Sequence, residues 1–172
     1  VAGNLCGVPM REPDAEPGDL SEVQYEELHK AVSDSDFESV KRIFKNVLPK
    51  KRVAAIERVD ADGETLFHKA ATAYPPNSET VRWLIEQVPA GERRAALIEH
   101  VDAIGNTVFG FLNDPVLVRW FIEQVPAGER RAALIEHVDG RGNTVFRYLK
   151  DPVLIRWLIE QVPAGERRAA LI

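Results

Sequence analysis

Apolar residues recur at helical spacing along this chain, and the same pattern is written several times. In residues 151–162, apolar side chains stand at positions 154, 155, 158, 159 and 162, which form one stripe on an α-helix. The eighteen residues from Ile85 to Asp102 return unchanged from Ile122 to Asp139, and a third copy begins at Ile159. Tryptophans at positions 83, 120 and 157 mark a period of 37 residues. The pattern predicts a tandem array of helical units.

Two helix starts are predicted in each unit. Asp139–Gly142 is typical of a turn, and the hydroxyl of Thr144 is expected to cap a first helix of barely two turns over residues 145–150. Asp151-Pro152 then predicts a longer helix, because aspartate supplies a capping oxygen and proline fits the first helical position. Three residues occupy the place of Asp151 in the earlier units: Asp36, Asn77 and Asp114.

A third helix is expected to begin at the proline that ends the second, Pro163 in the last copy. A unit of this length cannot bury a core alone, so the sequence predicts an all-α helical repeat solenoid. The expected units span about residues 21–60, 61–102, 103–139 and 140–172. Residues 1–20, rich in Gly, Pro and acidic residues, are predicted to be a flexible leader. Because the chain begins with Val1 and stops within a copy, we expect a longer parent array.

Residues 60–71 resemble the turn and first helix of the ankyrin repeat, and residues 81–86 are similar to its second helix. Residues 28–31 and 40–44 look like a degenerate first unit. The resemblance covers residues 21–172 and implies that His29 and His68 steady the turn through hydrogen bonds. Units three and four depart from the family pattern, with Gly110 and Arg147 in place of the histidine, and every unit has an additional helix. An armadillo-like solenoid of three-helix units is the alternative fold.

Composition narrows the classes of partner. The net charge is -5, 45% of residues are hydrophobic, and no apolar stretch is long enough to cross a membrane. Arginine pairs recur once per unit at positions 93–94, 130–131 and 167–168. Like charges stacked about 10 Å apart in water repel by only ~0.4 kcal/mol, so these pairs need no anionic partner. Glutamates stand beside them, and we expect a solvated, ion-paired face and no nucleic-acid or membrane partner.

Candidate catalytic and metal-binding residues are few. The serines do not lie in a strand-turn-helix elbow, and no glycine-rich phosphate loop is present. His100 and His137 occur once per unit, and separations of about 10 Å prevent them from sharing an ion. We therefore predict no catalytic site, no metal and no cofactor. The three tryptophans are expected to pack between units, and Trp120 is expected to lie deep in the array.

Units three and four differ mainly in the turn and the first helix, whereas their third helices are identical. The ankyrin resemblance implies that these two elements form a concave, partner-binding surface. The residues then expected to face a partner are Asp62, Lys69, Ile104, Phe111, Arg141, Arg147, Tyr148 and Lys150. The alternative is drift at exposed positions after a recent duplication.

The function expected from the sequence is that of a non-catalytic scaffold that binds a protein partner through its concave face. By analogy, it would be the recognition arm of a larger bacterial effector-type protein. A targeting segment of a larger enzyme is one alternative, and self-association through an apolar end is another. We expect an intracellular, soluble monomer, delivered into a host cytoplasm if the parent is an effector.

Overall fold

The computed structural model describes residues 20–75, 77–112 and 114–171. Of the predicted leader, residues 1–19 lie outside the described residues. The described part contains ten α-helices, two 3-10 helices and no strand. The α-helices are α1 (Glu22–Ser33), α2 (Phe37–Phe44), α3 (Pro49–Glu57), α4 (Leu66–Thr72), α5 (Ser78–Glu86), α6 (Glu92–Glu99), α7 (Pro115–Gln124), α8 (Glu129–Glu136), α9 (Pro152–Gln161) and α10 (Glu166–Ala169). The 3-10 helices are Val108–Gly110 and Val145–Arg147. The all-α prediction is confirmed.

The helices stack side by side in chain order. Helix α1 packs on α2 and α4, α3 also packs on α4, and α2 packs on α5. Further along, α4 contacts the first 3-10 helix, α6 contacts α7, and α8 contacts α9. One continuous core joins them, and the Phe121 ring lies 5.1 Å from Phe67 and 6.5 Å from Phe109. These contacts link neighbouring stretches of chain, as a helical repeat solenoid requires. We propose that these contacts divide the chain into the four units expected from the sequence, about residues 21–60, 61–102, 103–139 and 140–172.

The predicted start of the second helix is correct in all four units. The carboxylate of Asp36 accepts a hydrogen bond from the amide of Ser39, and the side chain of Asn77 accepts one from Thr80. Asp114 and Asp151 each accept from two amides of the following turn. These caps satisfy amides that have no partner within the helix.

The predicted first helix is wrong in units three and four. Helix α4 has seven residues in unit two, but the corresponding segments of units three and four are 3-10 helices of three residues. The Thr144 hydroxyl therefore caps no amide, in contrast to Thr65, which accepts from the amide of His68. In the 3-10 helix, the amide of Arg147 bonds instead to the carbonyl of Thr144, 3.0 Å away.

The third helix begins later than predicted in units two to four. Helices α6, α8 and α10 start at a glutamate, after a Pro-Ala-Gly turn. The glycine has a positive φ, 104° at Gly91, which prevents the proline from being the first helical residue. Unit one lacks this glycine, and there Pro49 does begin α3.

The arginine pairs of units two and three connect their units to both neighbours, and the pair of unit four connects to the preceding unit. The first arginine reaches back: Arg130 binds both oxygens of Glu99, at 2.7 and 2.9 Å, and also binds Glu92. Arg93 bonds in the same way to Glu57, and Arg167 to Glu136. The predicted ion-paired face is therefore present, and its carboxylates come mainly from the preceding unit.

The second arginine reaches forward. Arg94 donates to the carbonyl of Val88 in its own unit and to the Gln124 side chain of the next unit, 2.9 Å away. Arg131 repeats this arrangement with Val125 and Gln161. Arg93-Arg94 and Arg130-Arg131 thus each hold three successive units together, whereas Arg168 donates to carbonyls of its own unit.

The tryptophans do not lie deep in the array. Trp83, Trp120 and Trp157 are half-buried and pack against the edge of the core. The guanidinium of Arg82 lies 4.9 Å from the Trp120 ring, and that of Arg119 lies 4.8 Å from the Trp157 ring. The expectation that tryptophans pack between units is therefore correct, but their burial is only partial.

Phe121→Ala should destabilise the chain more than Trp120→Ala. Phe121 is 0% exposed, and its removal leaves a cavity that should cost about 3–5 kcal/mol. We expect a cost of about 1–3 kcal/mol for the half-buried Trp120, because water replaces part of the lost contact. Urea denaturation followed by circular dichroism measures both. Val116→Ala, at a 73% exposed position, should change the free energy of unfolding by less than about 0.5 kcal/mol. Equal costs for Phe121 and Trp120 would contradict this packing.

Acidification should destabilise the fold through His68. Burial and the neighbouring His100 ring lower the pKa of His68 below its ordinary value of 6.5. The unfolded chain then binds the proton more tightly, so stability is complete above pH 6.5 and declines as the pH falls below that value. We expect the His68 ring in the folded chain to titrate below 6.5 by NMR, with the urea-unfolded chain as the control. A midpoint at or above 6.5 would exclude this role.

Candidate functional site

An aspartate carboxylate stabilises each turn between units by accepting hydrogen bonds from backbone amides of the turn. One oxygen of Asp102 accepts hydrogen bonds from the amides of Ile104 and Asn106, at 2.9 and 2.8 Å. Asp60 and Asp139 hold the corresponding turns of units two and four in the same way. Each turn also contains a glycine with a positive φ, such as Gly105 at 80°. Residues with a side chain rarely adopt this backbone conformation.

The turns of successive units are bonded to one another. The amide of Ala103 donates to the carbonyl of Asp62, 2.9 Å away. Nε2 of His100 donates to the carbonyl of Gly63, also at 2.9 Å, and His137 repeats this bond with Gly105 at 2.8 Å. His100 and His137 thus have the structural role that was expected of them.

Gly140 shows that one difference between units three and four has a packing cause. A Cβ atom at Gly140 would lie 1.9 Å from the carbonyl oxygen of Ile104, which no side chain tolerates. The corresponding residue of unit three is Ala103. The replacement of alanine by glycine follows from the approach of two turns.

A groove of about 680 Å³ lies between units three and four, where the short 3-10 helices end. Its volume falls in the range of ligand-binding pockets. Four of the eight residues expected to face a partner line it: Phe111, Arg147, Tyr148 and Lys150. The remaining lining residues are Gly110, Leu112, Pro115, Leu149, Asp151 and Leu154.

The groove combines an apolar wall with a basic edge. Leu112, Leu149 and Leu154 are buried, and the Phe111 ring is half-buried beside them. Arg147 and Lys150 are exposed and make no ion pair with any residue that the structure describes. Such a surface can take up an apolar side chain and, beside it, a negatively charged group.

Tyr148 contributes its ring to the groove, but its hydroxyl is occupied. The hydroxyl donates to Asp139 at 2.5 Å, and the ring lies against Gly110. This hydrogen bond, with those from the turn amides, lowers the pKa of Asp139 from 3.8 to about 2. Tyr148 therefore fixes the turn of unit four in addition to lining the groove.

The other four predicted residues lie elsewhere. The ammonium group of Lys69 binds Asp60 at 2.7 Å and also Glu64, so it is not available to a partner. Asp62, Ile104 and Arg141 are exposed in three successive turns and do not line the groove. The structure thus brings half of the predicted set together.

Sequence reasoning missed the leucines and the proline of the groove. These positions do not differ between units three and four. Leu112 of unit three corresponds to Leu149 of unit four, and Pro115 corresponds to Pro152. A comparison that searched for differences between copies could not select them. The sequence signal that could have identified them is their apolar character next to the positions that differ between the units. Asn113, the counterpart of Lys150 in unit three, lies outside the described residues.

Other kinds of site find no support in the described part of the chain. Apart from residues 1–19, 76, 113 and 172, no group of three His, Cys, Asp or Glu residues could hold a metal ion. Among the same residues, no helix has both the length and the hydropathy needed to cross a membrane. The repeated arginine pairs that could have bound phosphate are bonded to carboxylates, amides and carbonyls within the chain.

Stacked helical units joined by turns define the chain as a repeat protein. Residues 28–85 match a family model described as ankyrin repeats (many copies). Within residues 28–85 the ankyrin resemblance is therefore confirmed, including the stretch 60–71 from which it was predicted. The matched stretch extends from α1 to α5, and the later units repeat the same order of turn, short helix and long helix. No curated protein matches the chain.

Tyr148→Phe should raise the pKa of Asp139 from about 2 toward its ordinary value of 3.8, because the carboxylate loses its hydroxyl donor. NMR titration of the Asp139 carboxyl carbon measures the change. Tyr74→Phe is the matched control, since Tyr74 is 92% exposed. An unchanged pKa of Asp139 in Tyr148→Phe would contradict the assigned hydrogen bond.

Proposed function

We propose that this chain binds a protein partner through its turns and first helices, with the groove between units three and four at the centre of the contact. Ankyrin repeats are generally protein-protein interaction modules, and the family is typically non-catalytic. The observation that carries the proposal is the groove itself, which gathers Phe111, Arg147, Tyr148 and Lys150 around buried leucines.

The composition of the groove suits protein binding. Tyrosine and arginine are enriched among the residues that dominate binding energy at protein interfaces. Here both stand at the rim of an apolar depression, and the Tyr148 ring is held in place by its hydroxyl. A side chain fixed before binding loses less conformational entropy when a partner docks.

Drift after duplication explains the groove less well than selection for a partner. Random change at exposed positions has no reason to concentrate around one depression. Yet Arg147, Tyr148 and Lys150 differ from their counterparts Gly110, Phe111 and Asn113, and all three line the same groove. The other differences lie outside the groove: turn packing accounts for Gly140, and Arg141, Ile155 and Leu158 replace Ile104, Val118 and Phe121.

The wider setting remains a proposal by analogy. A recognition arm of a larger bacterial effector-type protein would place the partner in a host cytoplasm. A monomeric array would leave the groove open to that partner. The targeting segment of a larger enzyme remains the alternative, and no feature of the groove favours it.

Photo-crosslinking tests the proposed surface. Phe111 replaced by p-benzoyl-phenylalanine keeps an aromatic ring in the groove, and ultraviolet irradiation in cell lysate should attach a protein at this position. The same replacement at Ala127, exposed in the Pro-Ala-Gly turn of unit three, is the matched control. We expect a discrete crosslinked band for position 111 at least about fivefold stronger than for position 127, since interface centres exclude competing water.

Competition makes the result specific. An excess of the unlabelled chain should remove the band, whereas an excess of a chain carrying Phe111→Ala and Arg147→Ala should not. This variant must first give the helical circular dichroism spectrum of the wild type. Equal crosslinking at positions 111 and 127 would count against this groove as the binding surface.

A further inference from the structure

Three basic residues distinguish unit four from unit three. Arg141, Arg147 and Lys150 stand where unit three has Ile104, Gly110 and Asn113. The remainder of the two units is nearly identical, and the chain as a whole is acidic, with a net charge of -5. Positive charge is therefore added at one place on an acidic protein.

The repeated arginines are mostly engaged within the chain. Arg82 and Arg119 pair with glutamates one helical turn away, at 3.0 Å, and the arginine pairs of the third helices bind neighbouring units. Arg156, on α9, is exposed and forms no ion pair with the residues described. It does not line the groove, which makes it a useful reference position.

The groove keeps an excess of positive charge, because two cations, Arg147 and Lys150, and one carboxylate, Asp151, line it. Asp151 accepts hydrogen bonds from the amides of Val153 and Leu154 as the cap of α9. Asp139 is occupied by the Tyr148 hydroxyl and by turn amides. In the part of the chain that the structure describes, neither Arg147 nor Lys150 forms an ion pair with these or other carboxylates.

We infer that the groove binds an acidic segment of the partner protein that presents an apolar side chain between two or more carboxylates. The apolar side chain packs on Phe111 and the buried leucines, and the carboxylates pair with Arg147 and Lys150. Arg141, exposed in the neighbouring turn, extends the positive surface. This inference rests on the proposed function, to which it adds the chemistry of the partner.

The charges set the expected salt dependence. Added salt weakens the attraction within ion pairs at an exposed rim, because the Debye length falls from about 10 Å at 0.1 M salt to about 3 Å at 1 M. The apolar contact is not weakened by salt in this way. An acidic segment should therefore bind more weakly as the salt concentration rises, but should keep part of its affinity.

Peptide selection tests the inference without a known partner. A phage library of random twelve-residue peptides is selected on the immobilised full chain at 0.05 M salt. We expect enriched peptides to carry at least two Asp or Glu residues around a Leu, Phe or similar side chain. The best peptide is then measured by fluorescence anisotropy, together with a version in which its acids are replaced by Asn and Gln.

Matched variants locate the binding. The double substitution Arg147→Gln and Lys150→Gln should weaken the acidic peptide about threefold to thirtyfold, as expected for two partly exposed ion pairs. Arg156→Gln removes the same kind of charge outside the groove and should leave affinity unchanged. A second variant, with Arg141→Ile, Arg147→Gly and Lys150→Asn, installs residues that unit three already carries and should reproduce the loss without unfolding.

The outcomes separate the inference from the proposed function. Enriched peptides without acidic residues, whose binding is lost on Phe111→Ala but not on the charge variants, would overturn the acidic partner and leave the groove as a protein-binding site. Peptides insensitive to both kinds of variant, or no enrichment, would count against both. Binding of phosphatidylserine vesicles or single-stranded DNA through Arg147 and Lys150, in place of peptides, would also overturn the inference.

Discussion

Contact between successive units is the constraint on which the structure depends. No unit of this chain has enough residues to bury a core, so each must offer its neighbours both an apolar face and polar partners. The Phe67, Phe109 and Phe121 rings carry the apolar part. The arginine pairs, the turn-to-turn hydrogen bonds and the His100 and His137 bonds carry the polar part. The exposed ion pairs each contribute little, and their effect lies in fixing how one unit sits on the next.

The sequence predicts much of this fold because its main signals are local. Asp114-Pro115 fixes the start of a helix, because the aspartate oxygen caps free amides and the proline ring fits the first helical position. Both effects involve only the first few residues of the helix. The 3-10 helices were not predicted, because their length depends on what replaces the family histidine. His68 bonds to Thr65 and lies buried in α4, whereas Gly110 has no side chain and the Thr144 hydroxyl caps no amide of the segment that contains Arg147. The start of α6 at Glu92 depended on the φ of Gly91, which composition does not reveal.

The groove was only half predictable for a related reason. Differences between copies pointed to Phe111, Arg147, Tyr148 and Lys150, and the structure places all four in one depression. The ankyrin resemblance added Lys69 of unit two, whose ammonium group is held by Asp60 and Glu64. Whether a variable residue is available to a partner depends on its neighbours in space. The sequence alone does not distinguish a basic side chain that is available to a partner from one that already forms an ion pair within the chain.

The shortened first helix has a consequence for how such an array acquires new specificities. The residues that join the units lie mostly on the second and third helices, whereas those that line the groove follow the 3-10 helix. Substitutions at exposed positions of that short stretch, such as Arg147 and Lys150, leave the arginine bonds between units untouched. A duplicated unit can therefore diverge in what it recognises at little cost to folding, and an identical scaffold can serve unrelated targets.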